Sequence, residues 1–230
     1  MKKISIIIPC YNEKYTVEEV ILRVKASNIN NLEIILVDDN SNDGTKQILE
    51  KKVHALVDKI VYHEKNLGKG AAIQSGLKLV SGDIIIIQDA DLEYDPKDYK
   101  KLLEPFYSKN AEVVYGSRFF GGESRRIIYF KNQLANKFLT FISNIFTGLN
   151  LTDMETGYKC FTKEAIKNIN LIEKSFGFEP EITAKLAKKK LKFFEVGISY
   201  QGRTYEEGKK IRPIDGLKAL ICIIKYNLLF

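Results

Sequence analysis

Short apolar runs alternate with longer amphipathic stretches along the first half of the chain. Ile4 to Pro9, Leu32 to Asp38, Ile60 to His63, Asp83 to Gln88 and Glu112 to Tyr115 are aliphatic or β-branched on both faces. That is the pattern of strands buried in a mainly parallel sheet. Between them, apolar positions recur at helical spacing. Val17, Val20, Ile21 and Val24 follow a Thr16–Glu19 pair that predicts a capping box. Asp43-Gly44-Thr45 leads into Ile48, Leu49, Val53 and Leu56, with Asp43 expected to cap that helix. Lys69 to Val80 and Pro96 to Tyr107 give two more helices. The alternation predicts a doubly wound α/β sheet with helices on both faces. In such sheets ligands bind at the carboxyl ends of the strands.

After residue 120 the alternation stops. Gly121 to Arg126 reads as a mobile loop, and Asn132 to Phe146 as a helix carrying Leu134, Phe138, Phe141, Ile142, Ile145 and Phe146. A strand from Tyr158 to Phe161, a helix from Pro180, a strand from Phe193 to Tyr200 and a helix from Pro213 follow. This half is expected to elaborate the same domain rather than to fold alone.

Composition narrows the class only slightly. With 45% hydrophobic and 28% charged residues, a chain of 230 residues suits one globular α/β domain. The three cysteines are odd in number and form no C-x-x-C pair, which favours a reduced, intracellular setting. The apolar run before Pro9 is too short for a signal peptide, and no run reaches the ~18 residues of a transmembrane helix. A cytoplasmic protein is expected. The formal charge of +7 suits an anionic partner such as a nucleotide, a lipid phosphate or a membrane surface. Nucleic acid has only that charge in its favour.

The chemistry-bearing residues fall at the predicted strand ends. Asp89-Ala90-Asp91 follows the run Ile84 to Ile87 directly, and two carboxylates so placed suit a hard cation, Mg²⁺ or Mn²⁺. Glu93 is a candidate third ligand, and a solvated turn before Pro96 is the plain alternative. The first strand ends in Pro9-Cys10-Tyr11-Asn12-Glu13 and the second in Val37-Asp38-Asp39, where a carboxylate can accept from a base or ribose. Asn66-Leu67-Gly68-Lys69-Gly70 makes a glycine-rich turn into a helix with a lysine placed for anions. It is neither a Walker A loop nor a dinucleotide fingerprint.

Residues 9–13 (PCYNE), 37–45 (VDDNSNDGT), 66–76 (NLGKGAAIQSG) and the DAD of 88–96 together resemble glycosyltransferase family 2, whose members have the GT-A fold. The resemblance implies that Pro9, Tyr11, Glu13, Val37 and Asp39 hold the nucleoside of a GDP- or UDP-hexose. It implies that Lys69, Gly70, Asp89 and Ala90 complete the donor site, and that Asp91 with Asp89 and Glu93 holds the metal. Gly116-Ser117-Arg118, residues 153–159 (DMETGYK) and residues 203–211 (RTYEEGKKI) look like the polyprenyl- or dolichyl-phosphate mannosyl- and glucosyltransferase branch. By analogy Arg118, Arg126, Arg203 and Lys209 bind phosphate, and Asp91, Arg118, Arg203 and Asp153 carry catalysis. Residues 1–118 are then the nucleotide-sugar half and 119–230 the acceptor half.

Such enzymes are expected to invert the anomeric centre by direct displacement. A lipid phosphate acceptor, largely dianionic at neutral pH with a second pKa near ~6, needs no base. A saccharide or glycolipid hydroxyl, the alternative, needs one, with Asp153 as the candidate. A nucleotide-sugar-binding module without transfer is the alternative of another class. The helices 132–146 and 213–230 suit either a membrane interface, giving peripheral contact at the cytoplasmic face, or packing on their own domain.

Overall fold

Isoleucines along the central strands sort by parity onto two sides of a sheet. β1 (Ile4–Cys10) is buried throughout, and β2 (Leu32–Asp38) and β4 (Ile84–Ile87) pair with it in parallel on either side. Ile4, Ile6 and Ile8 with Ile84 and Ile86 enter one core, while Ile7, Ile85 and Ile87 enter the other. A strand buried on both faces has no polar positions to alternate, which is why these runs read as continuous. The computed structural model describes residues 2–122, 124–127, 129–204, 206–208 and 213–228.

β3 (Lys59–Tyr62) extends the sheet in parallel beyond β2. On the other side come β5 (Val113–Ser117), β6 (Lys159–Thr162) and β7 (Phe193–Gly197), in the order β3-β2-β1-β4-β6-β5-β7. β6 alone runs against its neighbours, pairing antiparallel with β4 and with β5, whereas β5 and β7 are parallel. The expected doubly wound α/β sheet is present, and the second half of the chain completes it from within.

Helices cover both faces. α1 (Val17–Lys25), the segment beginning with α2 (Thr45–Ile48) and α4 (Tyr99–Ser108) pack on the first core. α3 (Lys69–Leu77), α5 (Phe130–Thr147), the short α6 (Lys163–Ile166), α7 (Phe178–Lys188) and α8 (Pro213–Leu228) cover the second. α1 buries Val17, Val20, Ile21 and Val24, the i, i+3, i+4, i+7 set that its sequence presents.

Several local expectations are corrected. Thr16 and Glu19 form no capping box: Thr16 makes no side-chain cap and donates its hydroxyl to Ala90 O at 2.7 Å and Glu13 Oε2 at 2.8 Å. Glu19 pairs with Arg23 one turn on. Tertiary acceptors outcompete the local amide for that hydroxyl. The helix from Thr45 passes through a π turn at Leu49–Val53 into a 3₁₀ turn at His54–Leu56. Asp43 does hold its start, accepting from Thr45 N at 2.9 Å. α7 begins at Phe178, so Pro180 sits in the first turn, where no intrahelical N–H is needed. β7 stops at Gly197 because Asp98 takes Ser199 N and Oγ, drawing the chain off the edge. Cys10, Cys160 and Cys222 form no disulfide, and no helix is long and apolar enough to cross a membrane among the described residues.

At the amino ends of the strands Glu33 ties four segments together. It accepts from Ser5 Oγ at 2.6 Å, Lys59 Nζ at 2.9 Å, Ser81 N at 2.8 Å and Ser81 Oγ at 2.8 Å. Burial pushes its pKa up, but these hydrogen bonds outweigh burial and hold it at about 2, below its ordinary 4.5. A carboxylate depressed in this way stabilises the fold above the unfolded value and loses that contribution as pH falls towards 2. Glu33→Gln should therefore lower unfolding free energy by about 2 kcal/mol at pH 7. The difference from the native chain should shrink below about pH 4. Urea denaturation at both pH values checks this, and a pH-independent difference would contradict it.

Candidate active site

The carboxyl ends of β1, β2, β4 and β5 converge on one charged cluster, and their sequences explain how. Each strand ends where its apolar run ends, so the next polar side chains emerge at the same edge. After β4, Gln88 is fully buried and braces the turn: its Oε1 accepts from Tyr99 OH at 2.8 Å and Tyr158 OH at 2.7 Å. Asp89 and Asp91 then project from that edge. Lys69, at the first position of α3, places Nζ 2.9 Å from Asp89 Oδ1 and 3.2 Å from Glu179 Oε1. Burial opposes the lysine charge, but Asp89 and Glu179 outweigh it and raise its pKa.

Arg203 closes the opposite side. Nη1 and Nη2 meet both oxygens of Glu13 at 3.1 Å, and Nη2 lies 2.9 Å from Asp91 Oδ2. Its backbone N–H donates to Glu93 Oε1 at 2.8 Å, while Tyr200 OH donates to Glu93 Oε2 at 2.8 Å. Glu93 thus holds the Arg203 loop with both oxygens. Burial, then Glu93 and Asp89, push Asp91 up to about 7, against the pull of Arg203. The site carries more negative charge than its own cations offset.

Arg118 and Asp153 form a second, deeper pair. Nε lies 2.7 Å from Oδ2 and Nη2 2.7 Å from Oδ1, and the Arg118 backbone N–H adds a 3.0 Å bond to Oδ2. Asp153 is wholly buried, and the guanidinium stacks 5.2 Å from the Tyr200 ring. Two in-plane bonds to a buried carboxylate leave Asp153 no exposed oxygen for a proton in solution. The phosphate-binding expectation for Arg118 and the base expectation for Asp153 both meet this lock.

Other expected residues take supporting places. Asp39 is buried and anchors the glycine-rich turn, accepting from Leu67 N at 2.9 Å, Gly68 N at 2.7 Å and His63 Nδ1 at 2.7 Å. Pro9 and Val37 face each other in the β1–β2 ladder, with Tyr11 just beyond. Ala90 is buried and its carbonyl accepts from Thr16. Gly70 lies so close to the 173–174 backbone that a Cβ there would sit 2.3 Å from Glu173 O. Arg126 stands apart, pairing with Glu207 at 2.7 Å on an exposed part of the Arg203 loop. Lys209 lies outside the described residues.

Glu155, Glu179 and His63 join the cluster although the motif reading passed over them. Glu155 lies within the quoted 153–159 stretch, and the acids of Phe178-Glu179-Pro180-Glu181, set in an apolar helix start, were the available signal. His63 bridges Asp39 to Ser75 Oγ at 2.9 Å.

The family model for Glycosyl transferase family 2 matches residues 5–169. An uncharacterized protein of Methanocaldococcus jannaschii is 30% identical over 227 residues, 96% of this chain and 91% of its own. The UDP-N-acetylglucosamine–dolichyl-phosphate N-acetylglucosaminyltransferase of Methanococcus voltae is 29% identical over 235 residues, 94% of this chain and 93% of its own. Among solved structures, glucosyl-3-phosphoglycerate synthase from Mycobacterium tuberculosis, in complex with Mn²⁺, UDP and phosphoglyceric acid, superposes with a TM-score of 0.76. It is 18% identical, and the match covers 100% of this chain and 80% of that one, a likeness of fold.

Removing one member of the deep pair tests its weight. Asp153→Ala would strand the Arg118 charge in the interior and should lower unfolding free energy by about 3–5 kcal/mol. Asp153→Asn, which keeps hydrogen-bonding atoms, should cost less. Urea titration distinguishes them, and an Asp153→Ala protein as stable as the native one would refute the assignment.

Proposed function

The chain belongs to glycosyl transferase family 2, and we propose that it moves a hexosyl group from a UDP-sugar onto a phosphate-bearing acceptor. One observation carries this reading. Lys69 against Asp89 and Arg203 against Asp91 set two cations beside two carboxylates at one strand end, where a diphosphate and its divalent cation would enter.

Mg²⁺ or Mn²⁺ fits Asp91 and Asp89. Both offer hard oxygen donors, and Asp91, raised chiefly by burial and then by Glu93 and Asp89, stands where a cation would offset those charges. Glu93 is committed to Tyr200 and Arg203, so the protein's ligands rest on the two aspartates. Among the described residues no three acidic, histidine or cysteine side chains converge as a metal site. Two carboxylates completed by phosphate oxygens and water are the usual Mg²⁺ arrangement. When bound, the cation offsets charge on the departing diphosphate.

The chain's own residues divide the remaining work. Pro9, Tyr11, Glu13 and Val37 border the nucleoside, and Asp39 fixes the 66–68 turn that borders it from the other side. Lys69 and Arg203 neutralise the leaving group as the bond from the anomeric carbon to the β-phosphate oxygen breaks. The anionic oxygen of a phosphate acceptor forms the new bond on the opposite face, inverting that carbon, and UDP departs; a hydroxyl acceptor must also give its proton to a base.

Two acceptors suit the site. A lipid phosphate is supported by the locked Asp153, since a dianionic phosphate needs no base, and by the 29% identical dolichyl-phosphate enzyme. It is further supported by a cavity of about 390 Å³ that joins Arg125 and Lys137 to Phe119, Phe141 and Leu151. Exposed Leu134, Phe138 and Ile145 on α5 and Leu217 and Ile221 on the adjoining α8 suit peripheral contact with a membrane surface. A hydroxyl on a small phosphate-bearing acceptor is the second reading, and the fold likeness to the phosphoglycerate-glucosylating synthase favours it.

Incubation with Mn²⁺, a panel of UDP- and GDP-hexoses, and either a short polyprenyl phosphate or 3-phosphoglycerate separates the readings by mass spectrometry. A glycosylated lipid phosphate supports the first, and a glycosylated phosphoglycerate the second. Asp91→Ala should lower turnover at least about a hundredfold in either case. Neither donor turnover nor metal-dependent nucleotide binding would overturn the proposal.

A further inference from the structure

α7 opens with two buried glutamates that are treated differently. Glu181 is fully satisfied: it accepts from Ile172 N at 2.8 Å and Glu173 N at 2.7 Å, and Lys185 pairs with it one turn on. Glu179, two residues earlier, has a side chain only 5% exposed. Lys69 reaches its Oε1 at 3.2 Å, but its Oε2 is buried with no hydrogen-bond partner. Glu155, from the stretch before β6, has a buried, unpartnered Oε1 of its own and lies near enough to feel the Glu179 charge.

The cation nearby does not answer this need. Lys159 is wholly buried, and its Nζ is spent on Met154 O at 2.6 Å and Thr156 O at 2.8 Å. Burial, with the Glu179 charge added, pushes Glu155 up to about 8, so at neutral pH Glu155 mostly carries a proton while Glu179 remains a carboxylate. Buried polar atoms are normally paired, and leaving one unpaired costs on the order of 1–3 kcal/mol. A fold that spends Lys185 and two backbone amides on Glu181 leaves open acceptors one lysine away from Asp89.

The position says which donors would complete them. Lys69 bridges Asp89 and Glu179, so Glu179 lies beside the proposed diphosphate site rather than near the nucleoside end. The group joined to the diphosphate at that point is the hexose, whose hydroxyls are O–H donors arranged around a ring. Segment 155–157 presses close there: a Cβ on Gly157 would sit 2.4 Å from Asp89 Oδ2.

We infer that Glu179 and Glu155 form the subsite that reads the hydroxyls of the donor hexose, an inference that rests on the glycosyltransferase reading above. Glu179 Oε2 accepts one sugar O–H, the Glu155 carboxyl exchanges a hydrogen bond with another, and Lys69 keeps Glu179 aimed while it contacts the diphosphate. A donor whose hydroxyls point elsewhere leaves these oxygens unpaired, so the pair selects among hexose epimers as well as holding them.

Calorimetry with Mn²⁺ and either UDP alone or UDP-glucose, UDP-galactose and UDP-N-acetylglucosamine tests it on the native chain, Glu179→Gln and Glu155→Gln. The native chain should favour one sugar. In Glu155→Gln the affinity for UDP should stay within about twofold, and in both variants the affinity for the favoured UDP-sugar should fall about tenfold more than that for UDP. Deoxy analogues lacking one hydroxyl should bind the native chain more weakly by a like factor, and the variant lacking that partner no more weakly still. Equal losses for UDP and UDP-sugar in both variants would overturn the subsite and leave the transferase intact. Glu155→Gln matters most here, because Glu155 makes no contact with Lys69 and its replacement leaves the Lys69–Asp89 pair alone. No binding of any UDP compound by the native chain would overturn the function and the subsite together.

Discussion

The pairing of β4 with the antiparallel β6 is the constraint on which the site depends. Ile84, Ile85 and Ile86 of β4 face Thr162, Phe161 and Cys160 of β6, so a strand from the second half of the chain lies beside the strand that ends in Asp89. Because β6 runs the other way, the residues just before it arrive at the edge where β4 leaves. Tyr158 hydroxyl then reaches Gln88, and Gly157 donates its N–H to Tyr94 hydroxyl at 2.8 Å. The approach at Gly157 leaves no room for a side chain beside Asp89 and the Tyr94 ring. Asp153 and Glu155 are delivered by the same turn of chain.

Once those strands meet, charge decides the rest. Glu13, Asp89, Asp91, Glu93, Asp153, Glu155 and Glu179 are gathered into a partly dry space, where like charges repel far more than in water. Lys69, Arg118 and Arg203 are each held by carboxylates from distant segments, Arg203 by a residue 190 positions away. Arg118 and Asp153 are closed on each other and resemble a structural rivet. Arg203 is different. Its Nε is buried without a hydrogen bond, 3.6 Å from Glu93, and it stands on a loop fastened mainly by the groups it neutralises.

The other end of the sheet makes the contrast plain. Glu33 is about as buried as Glu179, yet each of its oxygens has donors from the protein. Glu181 is likewise complete. Buried carboxylate oxygens without a hydrogen-bond partner, among the described residues, are those of Glu155 and Glu179.

The chain's own pattern was enough for the strands through Val113, the helices between them and the placing of Pro9 to Glu13, Asp39, Lys69, Asp89 and Asp91 at one edge. Both depend on local signals: aliphatic runs buried on two faces, and polar residues that must begin where those runs end. The position of β6 was not legible, since a four-residue strand carries no mark of its neighbours or its direction. For the same reason the Thr16 hydroxyl could not be foreseen leaving its own helix for Ala90, nor Glu93 accepting from Tyr200 and Arg203. Glu155 and Glu179 lie 24 positions apart in sequence and come within electrostatic reach only after β6 and α7 pack on the sheet. Local sequence chooses elements and their polar ends; which carboxylates share a cation is settled by long-range packing, because Coulomb forces act on distance in space and not along the chain.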